Sequence, residues 1–170
     1  MVLALQWSEA HGCFLIHGLW PVILGVPHHI VNQPIRNPYV VSNGLDWTLL
    51  NEMAVVWPDV IHRNNYQLWQ HEWDVHGTRS GLSFENYFRV AVELYRSLGP
   101  RRVQLVTSLT FSKGDEATLR QIHMKIYEQT GLVVAIKTGP RKSSCFNRMT
   151  EIYVGVDRMC GFRHITQDLN

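Results

Sequence analysis

The sequence predicts one domain of the α+β class, in which a central antiparallel sheet packs against several helices. Strand-like segments lie near both ends of the 170 residues, and helix-like segments are concentrated between them. A repeating βαβ fold would instead alternate the two kinds of segment. The composition, 45% hydrophobic and 18% charged, is typical of a folded chain. We therefore expect residues 1–170 to share a single core.

Apolar runs and turn residues predict the elements of the first half. Residues 2–7 and 13–17 are two β-type runs separated by the polar segment SEAHG, which predicts two short strands. Four of the seven prolines lie within residues 21–43, so a long irregular segment is expected there. Asp46 is placed to cap a helix that ends before Pro58, because a proline ring cannot continue a helix.

Two further helices and two further strands are predicted in the second half. After Ser83, aromatic and aliphatic residues recur every three or four positions as far as Leu98, which indicates an amphipathic helix. A second amphipathic helix is predicted between Asp115 and Gly131. The last two strands are predicted from two apolar runs, LVVAIK at 132–137 and EIYVGV at 151–156.

The charge of the chain permits a nucleic-acid partner without requiring one. The net charge is +2 with histidine neutral, and nine histidines would add positive charge in mild acid. No segment approaches the roughly 18 uninterrupted apolar residues of a membrane helix. The N-terminus has neither the basic segment nor the apolar run of a signal peptide. We expect a soluble monomer with no membrane partner, and no targeting segment is visible in this sequence.

The segment HEWDVH, residues 71–76, contains the residue types of a zinc-protease helix without their spacing. In that helix the two histidines lie four residues apart and face one ion. Here His71 and His76 lie five apart and diverge by roughly 140° around a helix, so no metal site is predicted. Glu72 and His76 share a face, where a carboxylate can hydrogen-bond an imidazole and raise its basicity. The alternative is an ordinary surface helix.

A further histidine occurs in the segment FLIHGLWP, residues 14–21. His17 ends an apolar strand and precedes Gly18, a position from which a side chain can enter a cleft. Two histidines flanking a scissile bond can remove a proton from the attacking group and donate one to the leaving group. A substrate that carries its own nucleophile, such as the 2′-hydroxyl of RNA, needs only this pair.

Together, FLIHGLWP and LWQHEWDVHGTRSG resemble the two active-site segments of the ribonuclease T2 family, which includes S-like and self-incompatibility ribonucleases of plants. The segments LALQW, WPDV, NNYQLW and EIYVGVD extend the resemblance over most of the chain. The resemblance implies an endoribonuclease that cleaves single-stranded RNA through a 2′,3′-cyclic phosphate, without a metal or other cofactor. It also implies a secreted or vacuolar protein.

Carried over position by position, the resemblance implies a catalytic set of His17, Glu72 and His76. His76 would take the proton of the 2′-hydroxyl, and His17 would protonate the departing 5′-oxygen. Glu72 would orient or polarise the phosphate and its neighbouring imidazole, and His71 would contact phosphate. The predicted substrate-binding positions are Gln6, Trp20, Asp59, Val60, His62, Leu68, His71 and Val75.

The chain departs from the family pattern at several positions. The family usually has lysine just before its last catalytic histidine, and here that residue is Val75, so one stabiliser of the negative transition state is absent. Arg79, four residues later, is a candidate for restoring positive charge to that helix face. Arg79 and Gly155 stand where the family has cysteines, so we expect fewer disulfides than in relatives. No pairing is assigned among the cysteines present, Cys13, Cys145 and Cys160.

Two interpretations of the function stay open. The first is a working endoribonuclease, favoured by retention of both histidines and the glutamate. The alternative is a catalytically impaired relative that acts in RNA binding, storage or recognition, favoured by Val75 and the missing cysteines. Base preference is not predicted, because Leu68 stands where relatives commonly have an aromatic residue. Trp20 and Trp69 are either pocket walls or core residues.

Overall fold

The computed structural model describes residues 1–22, 39–108, 119–138, 149–156 and 162. Two strands come first, β1 (Val2–Ser8) and β2 (Cys13–Trp20). The helices follow: α1 (Val41–Gly44), α2 (Trp47–Val56), α3 (Asn65–Val75), a short 3-10 turn (Gly77–Arg79), α4 (Phe84–Ser97), α5 (Arg101–Ser108) and α6 (Leu119–Thr130). The last elements are β3 (Val134–Thr138) and β4 (Met149–Gly155). The predicted α+β class is confirmed.

The four strands form one antiparallel sheet in the order β2-β1-β4-β3. Between β1 and β2 the register shifts, because Leu5 pairs with Ile16 whereas Ala4 pairs with Gly18. His17 is therefore the extra residue of a β-bulge. A bulge bends the strand and changes the direction of a side chain, so the shift in register determines where the His17 imidazole lies.

One cross-strand row brings three polar residues together beside this bulge. Gln6 in β1 pairs with Glu151 in β4, and Glu151 pairs with Lys137 in β3. Directly paired residues project to the same face of a sheet. Tyr153 lies two residues after Glu151 and projects to that face as well. The sheet thus carries a polar patch next to His17.

Aromatic side chains of the core bind the backbone of β2. The Tyr95 hydroxyl, from α4, donates to the Phe14 carbonyl (2.7 Å), and the Trp57 indole donates to the His17 carbonyl (2.7 Å). Trp69 is itself a core residue, 2% exposed, and its indole N–H donates to the Trp57 carbonyl (2.8 Å). Of the two alternatives for Trp69, core packing is the one observed.

The predicted helix limits agree closely with the structure, and two described helices, α1 and α5, are not predicted. Asp46 caps α2 by accepting from the Leu49 N–H (2.9 Å). Helix α5 is not predicted, because Gly99 and Pro100 indicate only the end of α4; a proline is equally compatible with the start of a new helix. Most of the proline-rich segment, together with Asp115, lies outside the described residues. Cys13 is a free thiol, and Cys145 and Cys160 are likewise outside them.

Replacing Tyr95 by phenylalanine tests whether the hydrogen bond from the Tyr95 hydroxyl to the Phe14 carbonyl stabilises β2. The ring and its contact with the Arg102 guanidinium (4.8 Å) would remain, but the Phe14 carbonyl would lose its donor. We expect the free energy of unfolding to fall by about 1–3 kcal/mol, measured by urea denaturation. The control Tyr66→Phe, at a ring that is 44% exposed, should change it by less than about 0.5 kcal/mol. Equal losses in the two variants would contradict this role.

Candidate active site

Trp20, the last residue of β2, contacts all three residues that the sequence predicts to be catalytic. Its indole stacks on the His76 imidazole, with ring centroids 5.1 Å apart and planes 28° apart. It meets the His17 imidazole edge to face, at 5.1 Å and 70°. Its Nε1 donates to Oε2 of Glu72 (2.8 Å). The structure therefore brings His17, Glu72 and His76 together around one side chain.

Glu72 and His76 lie at the C-terminal end of α3. Glu72 belongs to the last turn and is 2% exposed, and His76 follows the last helical residue and is 6% exposed. The His76 N–H donates to the Glu72 carbonyl (3.0 Å), so the predicted four-residue spacing persists to the end of the helix. The Tyr87 hydroxyl donates to the same carbonyl (3.3 Å). That Glu72 also orients the His76 imidazole stays a prediction.

His17 lies against Glu151, a residue that the sequence analysis does not single out. Its Nδ1 is 3.1 Å from Oε1 of Glu151, a close ion pair that is not aligned as a hydrogen bond. The other carboxylate oxygen of Glu151 accepts from Lys137 Nζ (3.2 Å) and from the Tyr153 hydroxyl. An acidic residue at the start of the apolar run EIYVGV is the available sequence signal. Only the strand register reveals that it faces His17.

Burial and neighbouring charges shift the pKa values of the two carboxyls in opposite directions. Burial raises the pKa of Glu72 to about 7; the charge of Glu151 adds to this, while His17 and the Trp20 N–H oppose it. Burial alone would also raise the pKa of Glu151. Contacts with His17 and Tyr153 and the charge of Lys137 outweigh burial and lower it to about 2. Near neutral pH, Glu151 is ionised and Glu72 exists in both forms.

The imidazole of His17 is held in an environment that favours its protonated form. Burial lowers the pKa of His17, but the contact and charge of Glu151 and the charge of Glu72 outweigh burial. The positive charge of Lys137 acts in the opposite direction. The net result is a pKa of His17 above its ordinary value of 6.5. His17 therefore retains its proton at higher pH than an ordinary histidine.

A cavity of about 290 Å³ opens beside His17. Residues of β1, β2, α3 and the loop before α3 line it: Gln6, His17, Asp59, Ile61, His62, Gln67, Leu68 and His71. It thus gathers most of the predicted substrate-binding residues next to the predicted acid. Ile61 and Gln67 are additional members that the motif comparison does not indicate.

The remaining predicted binding residues lie elsewhere. Trp20 lies among the catalytic residues, and Val60 is half-buried against the core. Val75 is 1% exposed, so its side chain packs inside the protein. Arg79 lies in the 3-10 turn after α3, and its guanidinium donates to the Val75 carbonyl. Arg79 thus supplies a donor to the carbonyl at the end of the helix. Among the described residues, the cation that pairs with Glu151 beside His17 is Lys137.

Asp59 organises the loop that forms one wall of the cavity. One oxygen of its carboxylate accepts from the N–H groups of Ile61 (3.0 Å) and His62 (2.9 Å), and the other accepts from Asn64 (3.2 Å). Burial opposes ionisation of Asp59, but these three bonds lower its pKa below the ordinary value. Arg63 adopts a φ of 56° in this loop. The ionised carboxylate thereby fixes the positions of Ile61 and His62 at the cavity.

Comparison with known proteins agrees with the resemblance. The model of the Ribonuclease T2 family matches residues 3–164. Ribonuclease MC of Momordica charantia is 37% identical over 83 residues, which are 48% of this chain and 41% of that protein. The chain thus spans less than half the length of that relative.

Solved structures of plant ribonucleases share the fold. Ribonuclease MC1 from bitter gourd seeds superposes with a TM-score of 0.67 and 21% identity, over 90% of this chain and 86% of that one. RNase NT in complex with 5′-AMP superposes with a TM-score of 0.66 and 23% identity, over 95% and 87%. Within the described ranges, no helix is long and apolar enough to span a membrane.

The raised pKa of Glu72 predicts a pH-dependent cost in stability. Between pH 4.5, the ordinary pKa of a glutamate, and about pH 7, Glu72 holds its proton more tightly in the folded chain than in the unfolded chain. The free energy of unfolding therefore falls as pH rises through this window. Glu72→Gln removes the titrating group, so the variant should gain on the order of 3 kcal/mol relative to the original chain between about pH 4 and pH 8. Urea unfolding at several pH values measures this difference, and Glu93→Gln, at an exposed position, serves as the control. If the free energy of unfolding of Glu72→Gln and of the original chain changed in parallel with pH, the prediction would be contradicted.

Gly18 is required by the close approach of Trp20 and Glu72. A Cβ at Gly18 would lie 2.0 Å from Oε2 of Glu72 and 2.2 Å from Nε1 of Trp20, inside their hydrogen bond. We expect Gly18→Ala to displace that bond, shift the Trp20 indole N–H resonance in NMR spectra, and lower the free energy of unfolding by at least about 1 kcal/mol. In a Trp20→Phe background the same change should cost less, because the N–H is already absent. Additive costs would contradict this account.

Proposed function

Because the chain belongs to the ribonuclease T2 family, we propose that it is an endoribonuclease acting on single-stranded RNA by transphosphorylation. The 2′-hydroxyl attacks the adjacent phosphorus and the bond to the 5′-oxygen breaks, which leaves a 2′,3′-cyclic phosphate and a 5′-hydroxyl. No bond to the protein forms, so the chain needs to supply a base, an acid and stabilisation of the phosphate. The contact of His17, Glu72 and His76 with Trp20 is the observation that carries the proposal.

His76 is the proposed base and His17 the proposed acid. Stacking on Trp20 limits the orientations open to the His76 imidazole. The Nδ1 of His17 faces Glu151, so the proton passes to the 5′-oxygen from Nε2. An acid must hold its proton before the leaving group departs, and the raised pKa of His17 favours this state near neutrality.

Glu72 is proposed to act on the phosphate in its protonated form. An ionised carboxylate would repel the phosphate, whereas a carboxyl with a pKa of about 7 can donate a hydrogen bond to a phosphate oxygen below that pH. The ionised form would be favoured above that pH. Turnover is therefore expected to decline as Glu72 ionises.

The cavity beside His17 is proposed to hold a nucleobase of the RNA. Leu68 and Ile61 offer apolar contact, and Gln6 and Gln67 offer hydrogen-bonding groups. The exposed His71 is proposed to contact a phosphate at the rim. RNase NT, which has this fold, is named as a complex with 5′-AMP. Secretion or vacuolar location, and a monomeric state, stay predictions.

A catalytically impaired, RNA-binding relative is the second candidate. Val75 favours it, because its buried side chain carries no charge at the position of the family lysine. An enzyme with weaker stabilisation of the transition state would bind RNA and turn it over slowly. The two candidates differ in product formation.

Incubation with single-stranded RNA in excess chelator tests the proposal. We expect a cyclic-phosphate product, and His17→Ala or His76→Ala should lower its rate by about 10²–10⁴-fold, because each removes one proton-transfer group. His11→Ala is the matched control, since His11 lies in the turn between β1 and β2 and bonds Ser8 (2.8 Å). RNA binding without product would favour the impaired relative. Cleavage that stops in chelator would indicate a metal-dependent activity instead.

A further inference from the structure

We propose that Glu151 is a positioning residue for His17, and that Lys137 and Tyr153 hold its carboxylate in place for this purpose. The inference rests on the proposed role of His17 as the acid. Glu151 touches His17 through one oxygen and its two supports through the other. It is 7% exposed, and its side chain thus has little freedom to turn away.

The strand register makes this arrangement rigid. His17 is the unpaired residue of the bulge in β2, and Glu151 lies two strands away in β4, beyond Gln6 of β1. The bulge directs the imidazole across the sheet, and the cross-strand pair with Lys137 fixes the carboxylate that meets it. Both partners are therefore set by backbone hydrogen bonding rather than by flexible loops.

A carboxylate at Nδ1 has two consequences for an acid that acts through Nε2. It favours the tautomer with hydrogen on Nδ1, so the ring is left neutral and correctly oriented once the Nε2 proton has moved to the 5′-oxygen. It also stabilises the imidazolium before that transfer. Burial of the imidazole without this partner would instead favour the neutral ring.

Charged groups on three elements act on His17, and they do not all act in one direction. Glu151 from β4 and Glu72 from α3 favour the imidazolium, whereas Lys137 from β3 opposes it. Asp59, His62 and His71 line the adjoining cavity. The His76 imidazole stacks on Trp20, whose indole also contacts His17. Two single substitutions, one at Glu151 and one at Lys137, should therefore shift the pKa of His17 in opposite directions.

The test titrates the imidazole of His17 by NMR in Glu151→Gln and Lys137→Met, with its resonance assigned by loss in His17→Ala. Glu151→Gln should lower the pKa of His17 relative to the original chain, and Lys137→Met should raise it. On single-stranded RNA, Glu151→Gln should reduce kcat about tenfold or more with KM changed less than about threefold. Glu93→Gln, at an exposed position of α4, is the matched control.

The outcomes separate this inference from the proposed function. Shifts of opposite sign, with the loss confined to kcat, would support Glu151 as the positioning residue. An unchanged pKa of His17 in both variants, or an unchanged kcat in Glu151→Gln, would overturn it. If the original chain cleaves no RNA, the proposed function fails, and the titration alone still decides whether Glu151 sets the state of His17. Lys137→Met, at an exposed side chain, keeps the test decisive if Glu151→Gln does not fold.

Discussion

The hydrogen bond from Trp20 to Glu72 joins the sheet to the helix that carries the second histidine. It crosses the space above Gly18, where no side chain fits. The same indole contacts His17 and His76. The orientation of Trp20 therefore sets the position of the two imidazoles, at the end of β2 and the end of α3, relative to each other. The core bonds of Trp57 and Tyr95 to β2 matter to the site because they hold the strand that carries this indole.

The two carboxyls beside His17 are both buried, but their pKa values shift in opposite directions. Glu72 has one N–H partner and little solvent, so burial dominates and its pKa rises to about 7. Glu151 is also buried, but a histidine, a lysine and a tyrosine surround it and its pKa falls to about 2. Near neutral pH, Glu72 is thus partly protonated and able to donate a hydrogen bond, and Glu151 keeps a fixed negative charge. Separated protonation states of this kind are common where acid and base chemistry occurs.

The sequence predicts the local parts of this site and misses the part formed by strand pairing. His17, Glu72 and His76 follow from two short segments, because the chemistry of each segment depends on neighbours in the chain. Glu151 is 134 residues from His17 and comes close only through the register of three strands and a bulge. Apolar alternation predicts that a strand exists but not which residues pair across it. Helix α5 is missed for a different reason, since Gly99-Pro100 is compatible with both an end and a start.

Within the part of the chain that the structure describes, the lysine paired beside His17 belongs to the sheet rather than to helix α3. In the helix, Val75 is enclosed by the core and Arg79 is bound to a carbonyl, so neither provides a cation in the manner expected from the family pattern. Lys137 is on β3, half-exposed and paired with Glu151. This cation shares its carboxylate with His17, so its charge stabilises Glu151 and at the same time weakens the hold of His17 on its proton. A lysine placed there therefore acts on the proton of His17, the proposed acid, as well as on the local charge.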